Sequence, residues 1–164
     1  MKEFWNQRYG RTEFAYGTFP NVFFANQLTD IKPGKALFPA EGEGRNAVFA
    51  AKNGWDVLAF DISEAGKTKA EQLAKTAGVQ ISYEVVAADQ FSSEKESFDL
   101  LVLIFAHFPE AKRREFHRHL IQFLRPGGML ILEAFSKEHI HFNSANEKAG
   151  GPKDLSMLYA VDEL

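Results

Sequence analysis

The stretch from Lys35 to Ala51, KALFPAEGEGRNAVFAA, constrains the chain more than any other. Ala36, Leu37 and Phe38 form an apolar run of the kind that makes a buried strand. Gly42 and Gly44 permit a sharp turn, and Ala47, Val48, Ala50 and Ala51 then continue at helical spacing. A strand that turns through glycines into a helix presents the free N–H groups of the turn and the positive end of the helix dipole at one place. With no side chain expected in the way, that place suits a nucleotide or another anionic group.

The same alternation repeats along the chain. Asn53-Gly54 closes the first helix with a cap that tolerates a left-handed backbone, and Asp56 to Phe60 forms a second apolar strand ending at Asp61. Ser63 precedes Ala70, Leu73, Ala74 and Ala77 as a helix cap, and Gly78 ends that helix. Ile81 to Ala87 reads as a third strand leading to Ala88-Asp89-Gln90, and FDLLVLIF, Phe98 to Phe105, as the central strand buried on both faces. Its exit, Ala106-His107-Phe108-Pro109, leads into a helix reaching Leu124. Arg125-Pro126-Gly127-Gly128 breaks that helix, and Met129 to Phe135 forms a fifth strand. Ser136 to Leu164 is polar and loop-like, with Gly150-Gly151-Pro152 as a turn. Five such alternations predict an α/β fold: a doubly wound, mainly parallel sheet with helices on both faces, binding its ligand outside the carboxyl ends of the strands. Gly42, Asp61, Asp89 and His107 all fall at those ends.

An acid 17 positions past Gly44, at the end of the second strand, is placed to accept hydrogen bonds from both hydroxyls of a ribose; the plainer alternative is that Asp61 caps the next helix. Asp89 is either a turn residue or a second acid along the same sheet edge, within reach of an adenine amino group. Residues 2–30 hold Phe4, Trp5, Tyr9, Phe14, Tyr16, Phe19, Phe23 and Phe24 around two short helical patterns, with Pro20 in the first turn of the second. These rings either cap the core or, through Trp5, Arg8, Tyr9 and Tyr16, cover the site beside Gly42.

With 164 residues, 45% of them hydrophobic, the chain is read as one domain, 1–164. It has no cysteine, which excludes disulfides and thiolate chemistry and fits a reducing cytoplasm. No stretch is long and apolar enough for a membrane span or a signal peptide. The net charge of −3 predicts no general attraction to nucleic acid, and Lys112, Arg113, Arg114, Arg118 and Arg125 read as a solvated face. His139 and His141 share a strand face but lack a third ligand, so no metal is expected; His117 and His119 need only solvent.

Taken together, PAEGEGRNAVFAA, VLAFDIS, AADQF, FDLLVLIFAHFP and LRPGGMLILEAF resemble a class I S-adenosylmethionine-dependent methyltransferase. The opening FWNQRY followed by YGTFPNVF is similar to the tellurite-resistance and thiopurine methyltransferase-like branch. The resemblance implies that Trp5, Arg8, Tyr9 and Tyr16 close over the cofactor and that Gly42 and Gly44 admit its methionine part. By the same token Asp61, beside Ile62, holds the ribose, and Asp89 and Gln90 border the adenine. Glu41 and Asn46 fix the loop, and Phe105 walls the pocket. Two positions depart from the pattern: Phe38 stands where the family has an acid, and Ala40 where it has a glycine. The family also continues into two further strands that this sequence is expected to lack, leaving the fifth strand to be covered by a second copy or else the molecule poorly soluble.

The implied reaction is in-line attack of an acceptor on a sulfonium methyl, with a neutral thioether leaving, so alignment of the partners is the main catalytic task. His107 is the candidate general base, and a small thiol, amine or oxyanion the expected acceptor. Two alternatives remain at this stage. Gly42, Gly44 and Ala47 also satisfy the relaxed spacing of an NAD-dependent oxidoreductase. The second is a non-catalytic regulatory protein that binds S-adenosylmethionine or S-adenosylhomocysteine.

Overall fold

A computed structural model of the chain describes residues 1–146 and 149–163. Lys148 and Leu164 lie outside the described residues. The elements run α1 (Lys2–Tyr9), α2 (Val22–Leu28), β1 (Lys35–Pro39), α3 (Arg45–Lys52), β2 (Asp56–Asp61), α4 (Glu64–Ala77), β3 (Ser82–Val85), β4 (Phe98–Ile104), α5 (Glu110–Ile121), β5 (Leu124–Glu133) and α6 (His139–Ala145). The strands form one all-parallel sheet in the order β3-β2-β1-β4-β5. This is the doubly wound architecture expected from the alternation of strands and helices.

Successive side chains of a strand point to opposite faces, so a run apolar at every position feeds two cores. Ala36, Phe38, Val57, Ala59, Leu100 and Val102 pack on one face with Phe24 of α2, Ala47 and Ala50 of α3 and Ala70 of α4. Leu37, Phe60, Leu101 and Leu103 pack on the other with Leu120 of α5, Phe91 and Phe123. Ser63 caps α4 by accepting from the Gly66 amide (3.1 Å), and Gly78 ends that helix at φ +70°.

Several boundaries differ from the sequence reading. β3 is confined to Ser82–Val85, and α5 stops at Ile121. Pro20 precedes α2 rather than entering it, because Asn21 caps the helix by accepting from the Phe24 amide (2.8 Å). β5 already begins at Leu124: Phe98 pairs with Leu124 and Leu100 with Met129, so Pro126-Gly127-Gly128 lies in a bulge inside the strand. His139 and His141 lie on α6, not on a strand, and two residues apart on a helix they do not share a face. Arg113 is buried rather than solvated, donating to the carbonyls of Ser156 (3.0 Å) and Leu158 (2.9 Å) with its guanidinium 3.9 Å from the Tyr159 ring centre. His119 likewise has a protein partner, the Phe91 carbonyl at 2.7 Å. Among the described residues no helix is long and apolar enough to cross a membrane.

Candidate functional site

The loop from β1 to α3 passes through left-handed backbone at Ala40 (φ +52°), Gly42 (φ +64°) and Gly44 (φ +84°). At Gly42 and Gly44 the missing side chain also permits close packing. A Cβ on Gly42 would lie 2.6 Å from the Tyr9 hydroxyl, and one on Gly44 2.6 Å from the Ala70 Cβ of α4. The space beside the glycines, expected to be open, is therefore filled by Tyr9 and Ala70. Ala40 adopts the conformation at a cost a glycine avoids.

Three acidic side chains hold the loop from inside. Glu41 Oε1 accepts from the amides of Asn46 and Ala47, both at 2.8 Å, and so caps α3. These are the N–H groups expected to face a ligand; the chain's own carboxylate takes them instead. Burial pushes the Glu41 carboxyl up to about 7 despite those bonds. Asp61 accepts from the Gly42 amide at 3.1 Å through one oxygen and from the Ser63 amide at 3.0 Å through the other. Burial raises its carboxyl to about 6. Glu43 accepts from the Ala15 amide (2.7 Å) and pairs with Lys69 of α4 (2.9 Å).

The N-terminal segment is fastened across this loop. Trp5 and Tyr9 stack with ring centres 5.2 Å apart, and Asn6 accepts from the Ser63 hydroxyl at 2.7 Å. Lys69 also donates to the Glu13 carbonyl (2.5 Å), and Arg45 to the Tyr16 carbonyl (3.2 Å). Arg8 donates to the Tyr16 hydroxyl at 3.0 Å, and the Asn46 side chain accepts from the Asn21 amide at 2.9 Å. On the β3 side, Asp89 and Gln90 lie exposed in a turn at residues 88–90. Phe91 anchors that turn by stacking on Phe60, the residue before Asp61, with ring centres 4.4 Å apart.

At the carboxyl ends of β4 and β5, Phe105 (φ +54°) stacks on Phe135 at 4.7 Å, and Phe135 on His139 at 4.2 Å. His107 stands beside them, with Nδ1 2.7 Å from the Met157 carbonyl and Nε2 accepting from the Phe135 amide at 3.3 Å. A carbonyl partner requires a proton on Nδ1, so the ring is the neutral tautomer, and burial keeps its pKa below the usual imidazole value. Both nitrogens are in use. Nε2 is the nitrogen without a proton, so a general-base step at His107 requires the 3.3 Å bond from the Phe135 amide to give way.

Residues 37–128 match a known protein family described as a methyltransferase domain. The chain belongs to this methyltransferase family. Its fold is similar to that of a solved structure described by the conversion of a disulfide bond into a thioacetal group during echinomycin biosynthesis. That match has a TM-score of 0.80 at 20% identity and covers 99% of this chain and 75% of the other. It is also similar to a putative methyltransferase from Bacillus halodurans C-125, with a TM-score of 0.63 at 27% identity over 71% of this chain and 52% of that one. A third similar structure is phosphoethanolamine N-methyltransferase 1 from Haemonchus contortus in complex with phosphoethanolamine and S-adenosylhomocysteine: TM-score 0.69, 20% identity, 98% of this chain and 35% of that one. The chain thus spans about half the length, or less, of two of these three relatives. No curated protein matches it.

In this member of the family the residues singled out in the sequence fall into two groups. Tyr9, Glu41, Gly42, Asn46 and Asp61 form one bonded cluster, with Gly44 packed beneath it, Ile62 following Asp61, and Trp5, Arg8 and Tyr16 in the segment above. Phe105 and His107 lie apart, in the aromatic row beyond β4. The cluster fits S-adenosylmethionine, the cofactor this membership carries. A carboxylate offers about four acceptor positions, so the two amides bonded to Asp61 leave room for hydroxyl donors. Sequence reasoning missed Tyr83, Glu43, Lys69 and Asn6. Only the alternation of Ile81, Tyr83 and Val85 marked Tyr83 as inward-facing, and the other three carried no signal.

Proposed function

We propose that this chain binds S-adenosylmethionine at the carboxyl ends of β1, β2 and β3 and transfers its methyl group to a small thiol, amine or oxyanion. The observation that carries this reading is the Asp61 carboxylate at the end of β2, fixed against the Gly42 amide at 3.1 Å. When bound, the cofactor supplies an electrophilic sulfonium methyl. Asp61 receives the ribose hydroxyls, Gly42 lets the backbone approach the methionine part, and Asp89 with Gln90 borders the adenine. Glu41 and Asn46 hold the loop, Ile62 lies beside the ribose acid, and Phe105 lines the way to the acceptor. Trp5, Arg8, Tyr9 and Tyr16 exclude water from above, and Tyr9 shifts from its place against Gly42 as the cofactor enters.

Alignment of donor and acceptor is the protein's main contribution, and His107, at the end of β4, serves as general base for an acceptor that arrives protonated. The methyltransferase family supports methyl transfer over hydride transfer to a nicotinamide. The tellurite-resistance and thiopurine branch is part of the proposal and rests on the FWNQRY opening. Residues 1–164 act as one cytoplasmic unit, with 1–30 as cover and 136–164 on the acceptor side, and two copies pair through β5.

Thermal-shift measurements with S-adenosylmethionine, S-adenosylhomocysteine and NADH test the reading. The first two stabilise, by about 2.7 kcal/mol at a hundred times the dissociation constant. A shift with NADH alone rejects methyl transfer. Binding of S-adenosylmethionine without turnover on a panel of thiols, amines and oxyanions selects the regulatory alternative.

A further inference from the structure

Tyr83 belongs to β3, separated from the glycine loop's own strand by β2, yet its hydroxyl donates to the Gly42 carbonyl at 2.6 Å. Gly42 is thereby held on both sides. Its N–H points to Asp61 of β2, and its carbonyl to Tyr83 of β3. A glycine at φ +64° has no Cβ to bias it, and its flanking peptides rotate more freely than those of any other residue. The carbonyl is also enclosed, because Gly66 of α4 packs so close that a Cβ there would lie 2.9 Å from it. A buried carbonyl stripped of its donor is costly, and rotating the peptide to find another donor disturbs the neighbouring N–H on which Asp61 rests.

We propose that Tyr83 is a positioning residue for the cofactor: by pinning the peptide between Gly42 and Glu43 it holds the Asp61 carboxylate in the orientation that receives the ribose. This rests on the function proposed above. The phenol remains a donor throughout the physiological range, since burial and the nearby Asp61 and Glu41 carboxylates push its pKa upward. Glu43 and Tyr9 face the same cluster and act in the same direction.

Tyr83→Phe removes the hydroxyl and keeps the ring. The expected result is an S-adenosylhomocysteine dissociation constant raised about tenfold by calorimetry. The Gly42 amide exchanges faster with solvent in the variant, while amides of β4 such as Leu101 keep their protection. An unchanged dissociation constant and unchanged Gly42 exchange, accompanied only by a lower melting temperature, overturn the proposal. If the unsubstituted protein does not bind S-adenosylhomocysteine, the proposed function fails, and the Gly42 exchange rate still decides whether Tyr83 pins the loop. Should the variant not fold, the unsubstituted protein decides. A slowly exchanging Tyr83 hydroxyl proton in its NMR spectrum supports the pin, and one too fast to observe overturns it.

Discussion

Glu41 and Asp61 work against their own burial. Each accepts backbone amides that favour the carboxylate, yet the carboxyls stand at about 7 and about 6 because loss of water outweighs those bonds. A carboxyl whose pKa rises on folding stays protonated in the folded chain after the unfolded chain has ionised. Its contribution to stability is full below its ordinary carboxylate pKa and is lost as the pH rises through the folded value. The chain therefore loses stability between roughly pH 4 and 7 from these two groups. Glu41→Gln keeps an oxygen for the Asn46 and Ala47 amides and removes the charge, so urea midpoints measured across that range decline less steeply in the variant. Glu41→Ala removes the cap of α3 as well and costs about 1–2 kcal/mol below roughly pH 4, a cost that shrinks as the pH rises. Asp61→Asn lowers affinity for S-adenosylhomocysteine by about tenfold or more with the fold intact, since an amide presents one acceptor oxygen where the carboxylate presents two. Undiminished affinity in calorimetry refutes the ribose role.

Between elements, the same acidic loop fastens the N-terminal cover. The Glu43–Lys69 pair is nearly buried, with side chains 3% and 11% exposed, and each partner also holds backbone of residues 13–15. Lys69→Met leaves the Glu43 carboxylate without its counter-charge in a dry place, costing about 3 kcal/mol. The variant is also cleaved sooner by trypsin after the exposed Arg11, while sharing a cleavage rate with the unsubstituted protein counts against the latch. Sequence legibility followed from whether an element carried its own signal. β1, β2 and β4 announced themselves as apolar runs because a strand buried on both faces has no polar positions to confuse the pattern. The start of β5 was hidden because Arg125-Pro126-Gly127-Gly128 reads as a turn until β4 is there to pair around it. The helix His139–Ala145 has no side-chain cap and is held by contacts to later chain, the His139 ring to the Gly150 carbonyl at 2.6 Å and Asn143 to the Pro152 carbonyl at 2.7 Å. The site divides in the same way. Asp61 was visible from its place at a strand end, whereas Tyr83 and Glu43 matter only through partners the sequence does not put beside them.

In the molecule as a whole, β5 is the outermost described strand on the β4 side of the sheet. Among the described residues β5 ends the strand order, and an isolated bridge from Ser136 to Tyr159 lies beyond the strand's last residue. Met129 and Leu130 point to opposite faces and are 47% and 40% exposed, so neither α2 nor α5 reaches far enough to cover the edge. Between those helices a groove of about 940 Å³ is lined by Phe23, Ile121, Met129 and Leu130 and also by Glu110, Arg114 and Arg118. An outer strand is a template for pairing, and natural sheets protect such edges with charge, bulges or a cover. Here the Pro126-Gly127-Gly128 bulge protects only the first half of the strand. In the pairing proposed above, two β5 edges meet antiparallel about a two-fold axis, an arrangement that is self-complementary by symmetry. Light scattering is expected to give a mass that rises with concentration toward twice that of the chain. Leu130→Lys places a charge in the proposed seam and is expected to give a monomer, without loss of S-adenosylhomocysteine affinity because the proposed cleft lies at the ends of β1, β2 and β3, away from β5. A monomer at all concentrations, with rapid amide exchange along Met129 to Leu132, eliminates the pairing.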